Sequence, residues 1–410
     1  MKTHNARVLY FKDLDAVRAE MARLGVMPAG VEGMAPKGIF YAIALEDVGP
    51  AEAHILKEGM LAKGGEAALP QEAYHGGAMA SEVLLLGTVR QYRDLIARLR
   101  VQPLQSLVAI AAELDRVLRH IEGPGPAPMR IRDDVFEWGR RTYIMGIINV
   151  SPDSFSGDGL SDTEAAVAQG LRFIQEGAHI LDVGGESTRP GAQPISAEEE
   201  LRRVLPVVQR LADLTDVPIA VDTYKARVAR ACLDAGASLI NDVWGGRADP
   251  EMGPLLAERG VPLVLMHNRS KPTEAVETRG IGGHYKGTQY DNLMADILRE
   301  LGECLEMVRR DGVRQEQIIV DPGIGFGKTA EQNLEVLNRL GELRSLGRPI
   351  LVGPSRKSFI GLTLDLPPEE RLEGTAATVA LAIARGADIV RVHDVKEMSR
   401  VARMTDAVVR

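Results

Sequence analysis

The sequence predicts an α/β protein: a (β/α)8 barrel preceded by a smaller α/β or α+β N-terminal domain. Three observations carry this reading. Beyond residue 142, short apolar runs recur eight times, each ending in polar residues and followed by a longer amphipathic segment. The runs are nearly unbroken in apolar residues, as strands buried on both faces require. Eight units over residues 143–410 also match the roughly 250 residues usual for such a barrel. A doubly wound open sheet is the alternative, and the regularity of the eight units favours closure.

Taken in order, Arg7–Phe11 (RVLYF) reads as a short strand, and DLDAVRAEMARLG as a helix stopped by Gly25. Phe40–Leu45 and Glu82–Gly87 are further strands, separated by a helix, AEAHILKEGMLAKGG, that ends in paired glycines. VRQYRDLIARLRV and LQSLVAIAAELDRVLRHIE supply two closing helices, so the first domain is placed at residues 1–125. His54, His75 and His120 are scattered through it and form no catalytic constellation. The run EGPGPAPMR at 122–130, with three prolines, cannot continue a helix. Residues 126–140 are therefore read as a linker and lead-in strand, and 141–410 as the barrel.

The barrel strands are read at 143–149, 179–185, 218–223, 238–244, 262–267, 317–323, 349–355 and 388–394. Between them, Ser196 and Glu199 form a capping-box pattern ahead of Leu201, Val204, Leu205 and Val208, and Ser161 and Glu164 repeat it. Pro206, inside the first of these helices, is expected to kink it. Cys232 and Cys304 lie in helical patterns with no CxxC spacing and read as buried thiols.

A net charge of −8 gives no general basic field for nucleic acid. No window approaches the ~18 apolar residues of a spanning helix, and MKTHNARVLYFKDL lacks a signal-peptide core, so a cytoplasmic location is expected.

In barrels of this kind, catalytic groups stand where strands end. Those positions hold Asn149, Asp182 and Glu186, Asp222, Asn241 and Asp242, His267, Asp321, Ser355 and Lys357, and Arg391 and His393. Asp222, Asn241 and Asp321 suit a flat heterocycle with an amidine-like edge, because a carboxylate accepts two parallel N–H donors. Arg391 and His393, two apart on one strand, share a face and make an anion site with Asn149. Lys357 and Arg189 read as isolated positive charge near the mouth. The segment DPGIGFGKT at 321–329 fits neither a P-loop nor GxGxxG. Its backbone is expected to approach a ligand closely, with Phe326 lining an aromatic wall. No His, Cys and carboxylate set has zinc spacing.

The motifs MGIINVSPDSFSGDG (145–159), LDVGGESTRPGA (181–192), VDTYK (221–225), INDVWG (240–245), DPGIGFGK (321–328), GPSRKSFIG (353–361) and RVHD (391–394) closely resemble those of the dihydropteroate synthases, pterin-binding barrel enzymes of the folate pathway. The resemblance covers the barrel in family order and leaves the first 130 or so residues without a role. It implies transfer of a dihydropterin from its diphosphate onto 4-aminobenzoate, with Mg²⁺ as cofactor and a possible homodimer. It implies that Asp222, Asn241, Asp321 and Lys357 hold the pterin, with Arg391 and His393 at the diphosphate and Asn149 at the metal. Thr188, Arg189, Pro190 and Ser358 would frame the aminobenzoate, and loops 150–162 and 185–197 would be moving covers. Two departures stand out: SFSGDG where many members read SFSDGG, and HNRSKP after the fifth strand in place of a methionine- and glycine-containing loop. A pterin-dependent methyltransferase and a barrel that only binds pterin are the competing readings. The STRPG, SRKS and RVHD segments favour the synthase.

Overall fold

The computed structural model describes residues 4–74, 80–150, 159–271, 274–286 and 289–410, the side chains of Tyr74 and residues 159–162 excepted. It divides into two compact units, Met1–Pro124 and Gly125–Arg410. No helix among the described residues is long and apolar enough to cross a membrane.

The first unit runs α1 (Leu14–Arg23), α2 (Pro28–Met34), β1 (Phe40–Val48), α3 (Pro50–Leu61), β2 (Glu66–Ala68), β3 (Ser81–Thr88), α4 (Val89–Leu99) and α5 (Gln105–Glu122). Its antiparallel sheet has the order β1-β3-β2. Alternation along β1 and β3 turns Ile43, Leu45, Val83 and Leu85 onto Leu56, Tyr92, Leu95 and Leu114 of the helices. Tyr92 satisfies its buried hydroxyl by donating to Leu85 O at 2.7 Å. The strand expected at Arg7–Phe11 does not form, and Val8 and Tyr10 are 75% and 92% exposed. Its composition favours extended backbone, but a strand also needs an edge to pair with and a face to bury.

The second unit opens with a hairpin, β4 (Met129–Ile131) on β5 (Asp134–Phe136). Eight parallel strands follow: β6 (Tyr143–Asn149), β7 (Ile180–Gly184), β8 (Ile219–Asp222), β9 (Leu239–Asp242), β10 (Leu263–Met266), β13 (Ile318–Asp321), β14 (Leu351–Val352) and β15 (Ile389–Val392). A second hairpin, β11 (Ala275–Thr278) and β12 (Gly282–Tyr285), is inserted after β10. Hydrogen bonding runs β13-β10-β9-β8-β7-β6-β15-β14, and an isolated bridge from Val320 to Ile350 brings the ends together in a nearly closed barrel.

The helices are α6 (Gly159–Glu176), α7 (Ala197–Leu214), α8 (Ala226–Asp234), α9 (Met252–Arg259), α10 (Leu293–Arg310), α11 (Ala330–Asn338), α12 (Ser358–Leu364), α13 (Leu372–Ala384) and α14 (Val395–Val409). Ser196 caps α7 as its pattern predicts, accepting from Glu199 N, and the helix continues through Pro206. Ser161 does not start α6, which already begins at Gly159, so that capping pattern lies inside the helix. Cys232 and Cys304 are free, buried thiols.

Period-two alternation fixes which side chains enter the barrel. One set, Met145, Ile180, Ala220, Leu239, Val264, Ile319, Leu351 and Ile389, fills the lower interior. The opposite set, including Leu181, Val221, Ile240, Leu265, Val320 and Val390, packs outward under the helices. Met129, Ile131, Phe136 and Trp138 of the hairpin segment join the inner set and close the barrel floor. A chain beginning at Gly125 is therefore expected to fold. One beginning at Arg141 loses four buried floor side chains, each worth about 1.5–3 kcal/mol. Thermal unfolding of the two chains checks this, and equal midpoints would refute it.

Candidate active site

The inner set changes character one step up the barrel. Two residues beyond five of the eight apolar floor residues stand Asp182, Asp222, Asn241, Asp321 and Arg391. They share the inward face because residues two apart on a strand do. Gly184, paired with both Asn149 and Asp222 across the ladder, keeps the space between them free of a side chain.

Arg391 joins these strands. Its Nε donates to Asp182 Oδ2 at 2.5 Å and its Nη2 to Asp222 Oδ2 at 2.7 Å. Asn241 Nδ2 donates to the same Asp182 oxygen at 3.2 Å. Asp182 is fully buried and lies beneath the pocket, orienting both partners. The sequence places Asp182 among the strand-end residues but gives it no role in the heterocycle or anion set. Burial pushes the Asp222 carboxyl up to about 7 in spite of Arg391. Asp321 is raised by the same cause, opposed by Lys357 and by Gly323 N, which donates to its Oδ1 at 2.7 Å.

Lys357 is not isolated, contrary to expectation. It donates to Ile324 O, sits 4.5 Å over the Phe326 ring and lies beside Asp321. Burial brings it down to about 8. Just before it, Arg356 adopts a left-handed backbone (φ 55°), a strained state for a non-glycine residue. That turn is held by Arg356 N donating to Thr375 Oγ1 at 3.0 Å and by a guanidinium–Asp394 pair. Ser358 follows Lys357 as the first residue of α12.

His393, also on the inward face, meets Ser355 Oγ through Nδ1 at 3.0 Å. Burial, and then Arg391, Arg356 and Arg189, drive its pKa down to about 3. Arg391, Arg356 and Arg189 thus surround a neutral imidazole, the first two shared with Asp182, Asp222 and Asp394, and guanidinium N–H groups are the donors that recognise anions.

Thr188 and Arg189 line a cavity of about 110 Å³ with Tyr224, Trp244, Tyr285 and Phe326. Their loop is anchored at both ends, where Arg203 Nη1 donates to Gly185 O at 2.8 Å and Ile195 N to Glu186 Oε2 at 3.1 Å. Lys225 bridges Glu186 and the buried Glu200. Pro190 abuts Gly283 of β12, where an added Cβ would stand 2.8 Å from Pro190 O. The buried Arg371 ties this hairpin down, donating to Ile281 O at 2.7 Å and to Arg356 O at 2.9 Å. No sequence pattern pointed to that link.

Two strand-end residues face away from the pocket. Asp242 accepts from Trp244 N and Gly246 N and shapes its own loop, whereas His267 points outward to Lys328 and Glu300. The glycines of 323–327 also serve the protein's own packing. Side chains at Gly323, Gly325 and Gly327 would collide with His267 O, Lys357 and Arg269 respectively. The departure at SFSGDG, the first covering loop and His75 lie outside the described residues or their side chains.

This arrangement matches known proteins. Residues 145–393 fit the family model of pterin binding enzymes. The dihydropteroate synthase of Clostridium beijerinckii is 51% identical over 284 residues, which is 69% of this chain and all of that protein. The chain belongs to the dihydropteroate synthase family. A Clostridium difficile dihydropteroate synthase, its crystal structure determined in the presence of pteroic acid, superposes with a TM-score of 0.62 at 47% identity, covering 67% of this chain and 99% of that one. Dihydropteroate synthase activity, a transferase step of folate biosynthesis, is thus the activity of this barrel. These relatives leave the N-terminal unit unmatched. A protein of Halobacterium salinarum described as a probable bifunctional folylpolyglutamate synthase/dihydropteroate synthase aligns at 41% identity over 96% of this chain and 46% of its own length. That span includes most of residues 1–124.

Proposed function

We propose that the barrel joins 6-hydroxymethyl-7,8-dihydropterin diphosphate to 4-aminobenzoate, giving 7,8-dihydropteroate and diphosphate, with the inward polar layer as its catalytic surface. The observation that carries this is the Arg391 guanidinium shared between Asp182 and Asp222 at the edge of the arginine-lined His393 corner. It puts heterocycle acceptors and an anion site side by side, at the spacing of one bridging side chain.

In this reading, Asp222, Asn241, Asp321 and Lys357 hold the pterin ring, with Phe326 against its face. Arg391 and His393 receive the diphosphate. The arylamine enters past Thr188, Arg189, Pro190 and Ser358, and its nitrogen attacks the methylene carbon as the C–O bond to diphosphate breaks. The electron-rich dihydropterin stabilises the developing cation, and the amine proton leaves to solvent, so no strong general base is assigned. Arg391 and the His393 corner stabilise charge gathering on the departing diphosphate.

Mg²⁺ fits this donor set in a limited way. Asn149 supplies one hard amide oxygen on the inward face of β6, and no group of three His, Cys, Asp or Glu able to hold a metal occurs among the described residues. The remaining ligands would be diphosphate oxygens and water, which is how Mg²⁺ commonly binds. Bound there, it would neutralise charge on the leaving group. A homodimer belongs to the same reading, supported by exposed Leu381 on α13 and Met404 and Val408 on α14.

The pH dependence of pterin binding tests the assignment of Asp222. A carboxylate accepts two N–H donors, which a protonated carboxyl does not. With its pKa raised to about 7, Asp222 is ionised above that pH and neutral below it. Affinity for a diphosphate-free pterin should therefore fall about tenfold from pH 8 to pH 6. Calorimetry should show that slope in the native enzyme and none in Asp222→Asn. An unchanged slope in the variant would remove Asp222 from the pterin edge.

A further inference from the structure

Lys328 is a buried ammonium, 2% exposed, that the chemistry above does not use. Its Nζ stands 3.0 Å from His267 Nδ1, 3.0 Å from Gly323 O and 3.2 Å from Phe326 O. An ammonium only donates, so the Nδ1 facing it carries no proton and the ring hydrogen is on Nε2. That nitrogen lies 3.1 Å from Glu300 Oε2 on α10, an electrostatic contact without hydrogen-bond alignment. Burial holds His267 neutral, its pKa down at about 3, in agreement with this tautomer. Arg269 Nε completes the chain by donating to Glu300 Oε1 at 2.7 Å. His267 follows the outward face of β10, so the chain runs behind the pocket wall.

The loop between Asp321 and Lys328 is pressed so closely on the residues after β10 that Gly323 and Gly327 leave no room for side chains, and Gly325 is closed off by Lys357. The same loop presents Ile324 O to the Lys357 ammonium and the Phe326 ring beneath it. We propose that Lys328, acting through His267 and Glu300, is the positioning residue that sets this loop, and with it Asp321, Phe326 and Lys357, in the geometry that binds the pterin. The inference rests on the assignment of those three residues to the pterin pocket.

Its chemistry leaves a signature in pH. Burial lowers Lys328 to about 7. Asp321 and Glu300 favour its charged form, Lys357 and Arg269 oppose it, and the facing His267 is neutral. Above that pH, a neutral amine has two N–H donors for three acceptors, so one of the three contacts that tie the loop to itself and to His267 is lost. The KM for the pterin diphosphate should then rise on the alkaline side.

The test measures kcat and both KM values from pH 6 to 9 in the native enzyme, Lys328→Met and Glu300→Gln. Lys328→Met should raise the KM for the pterin diphosphate about tenfold and abolish the alkaline limb, leaving the KM for 4-aminobenzoate within about twofold. Glu300→Gln removes a charge that favours the ammonium, so the limb should move about half a unit or more toward lower pH. A limb arising from Lys357 would stay in place, because the charges acting on Lys357 are Asp321, Arg391 and Asp222. An unmoved limb in Glu300→Gln overturns the proposal, even if Lys328→Met does not fold. Asp321→Asn separates the two levels: normal pterin binding there defeats the pocket assignment, whereas impaired binding with an unmoved Glu300→Gln limb defeats the relay alone.

Discussion

Arg391→Ala is expected to lose about 10³-fold in kcat/KM for the pterin diphosphate. Removing one preorganised donor from a developing oxyanion typically costs about 10²–10³-fold. Here the side chain also neutralises two buried carboxylates, Asp182 and Asp222. Without it, Asp222 rises further above 7 and spends more of its time protonated at neutral pH. A pterin lacking diphosphate should therefore also bind more weakly, by about tenfold, a smaller loss than that of the true substrate. The folded state should weaken as well, since unpairing a buried charge costs about 3–5 kcal/mol. Steady-state kinetics, pterin calorimetry and thermal unfolding read the three effects separately. Equal loss for both ligands would show that Arg391 does not serve the leaving group. Arg391→Lys should recover little, because a point charge cannot span Asp182 and Asp222 as the planar fork does.

Lys357→Ala should lower kcat/KM by about 10²-fold or more. Its ammonium is the cation that most opposes the rise of Asp321, and it rests on the Phe326 ring. Losing it raises Asp321 further, which weakens the carboxylate proposed to face the heterocycle edge. The loop also loses the contact from Lys357 to Ile324 O. Diphosphate release with the pterin diphosphate and 4-aminobenzoate measures the effect, and activity within about twofold of the native chain would exclude Lys357 from the site.

Several parts of this architecture were legible before any coordinates. The eight strands lie where the apolar runs place them, because strands covered on both faces leave a strong local signal. Helix starts were less secure. Ser196 caps α7, but Ser161 sits inside α6, since the same four-residue pattern has meaning only where the helix begins. Arg7–Phe11 failed for a related reason: local preference proposes a strand, and only a neighbouring edge makes one.

For the site, the sequence by itself determined which chemical groups reach the barrel mouth. Strand ends and period-two alternation put Asp222, Asn241, Asp321 and Arg391 on one inward layer, since both follow from backbone geometry alone. The tertiary structure decided how those groups are paired. Arg391 is hydrogen-bonded to Asp222 as well as lying beside His393, Asp182 accepts from both Arg391 and Asn241, and Lys357 is bound to Ile324 O and Phe326. It also set Lys328 against His267 and Glu300 behind the wall, and Arg371 across to Ile281. Those partners are up to 209 residues apart in the chain. Which distant side chains meet depends on the closure and twist of the whole barrel, and no local pattern encodes that.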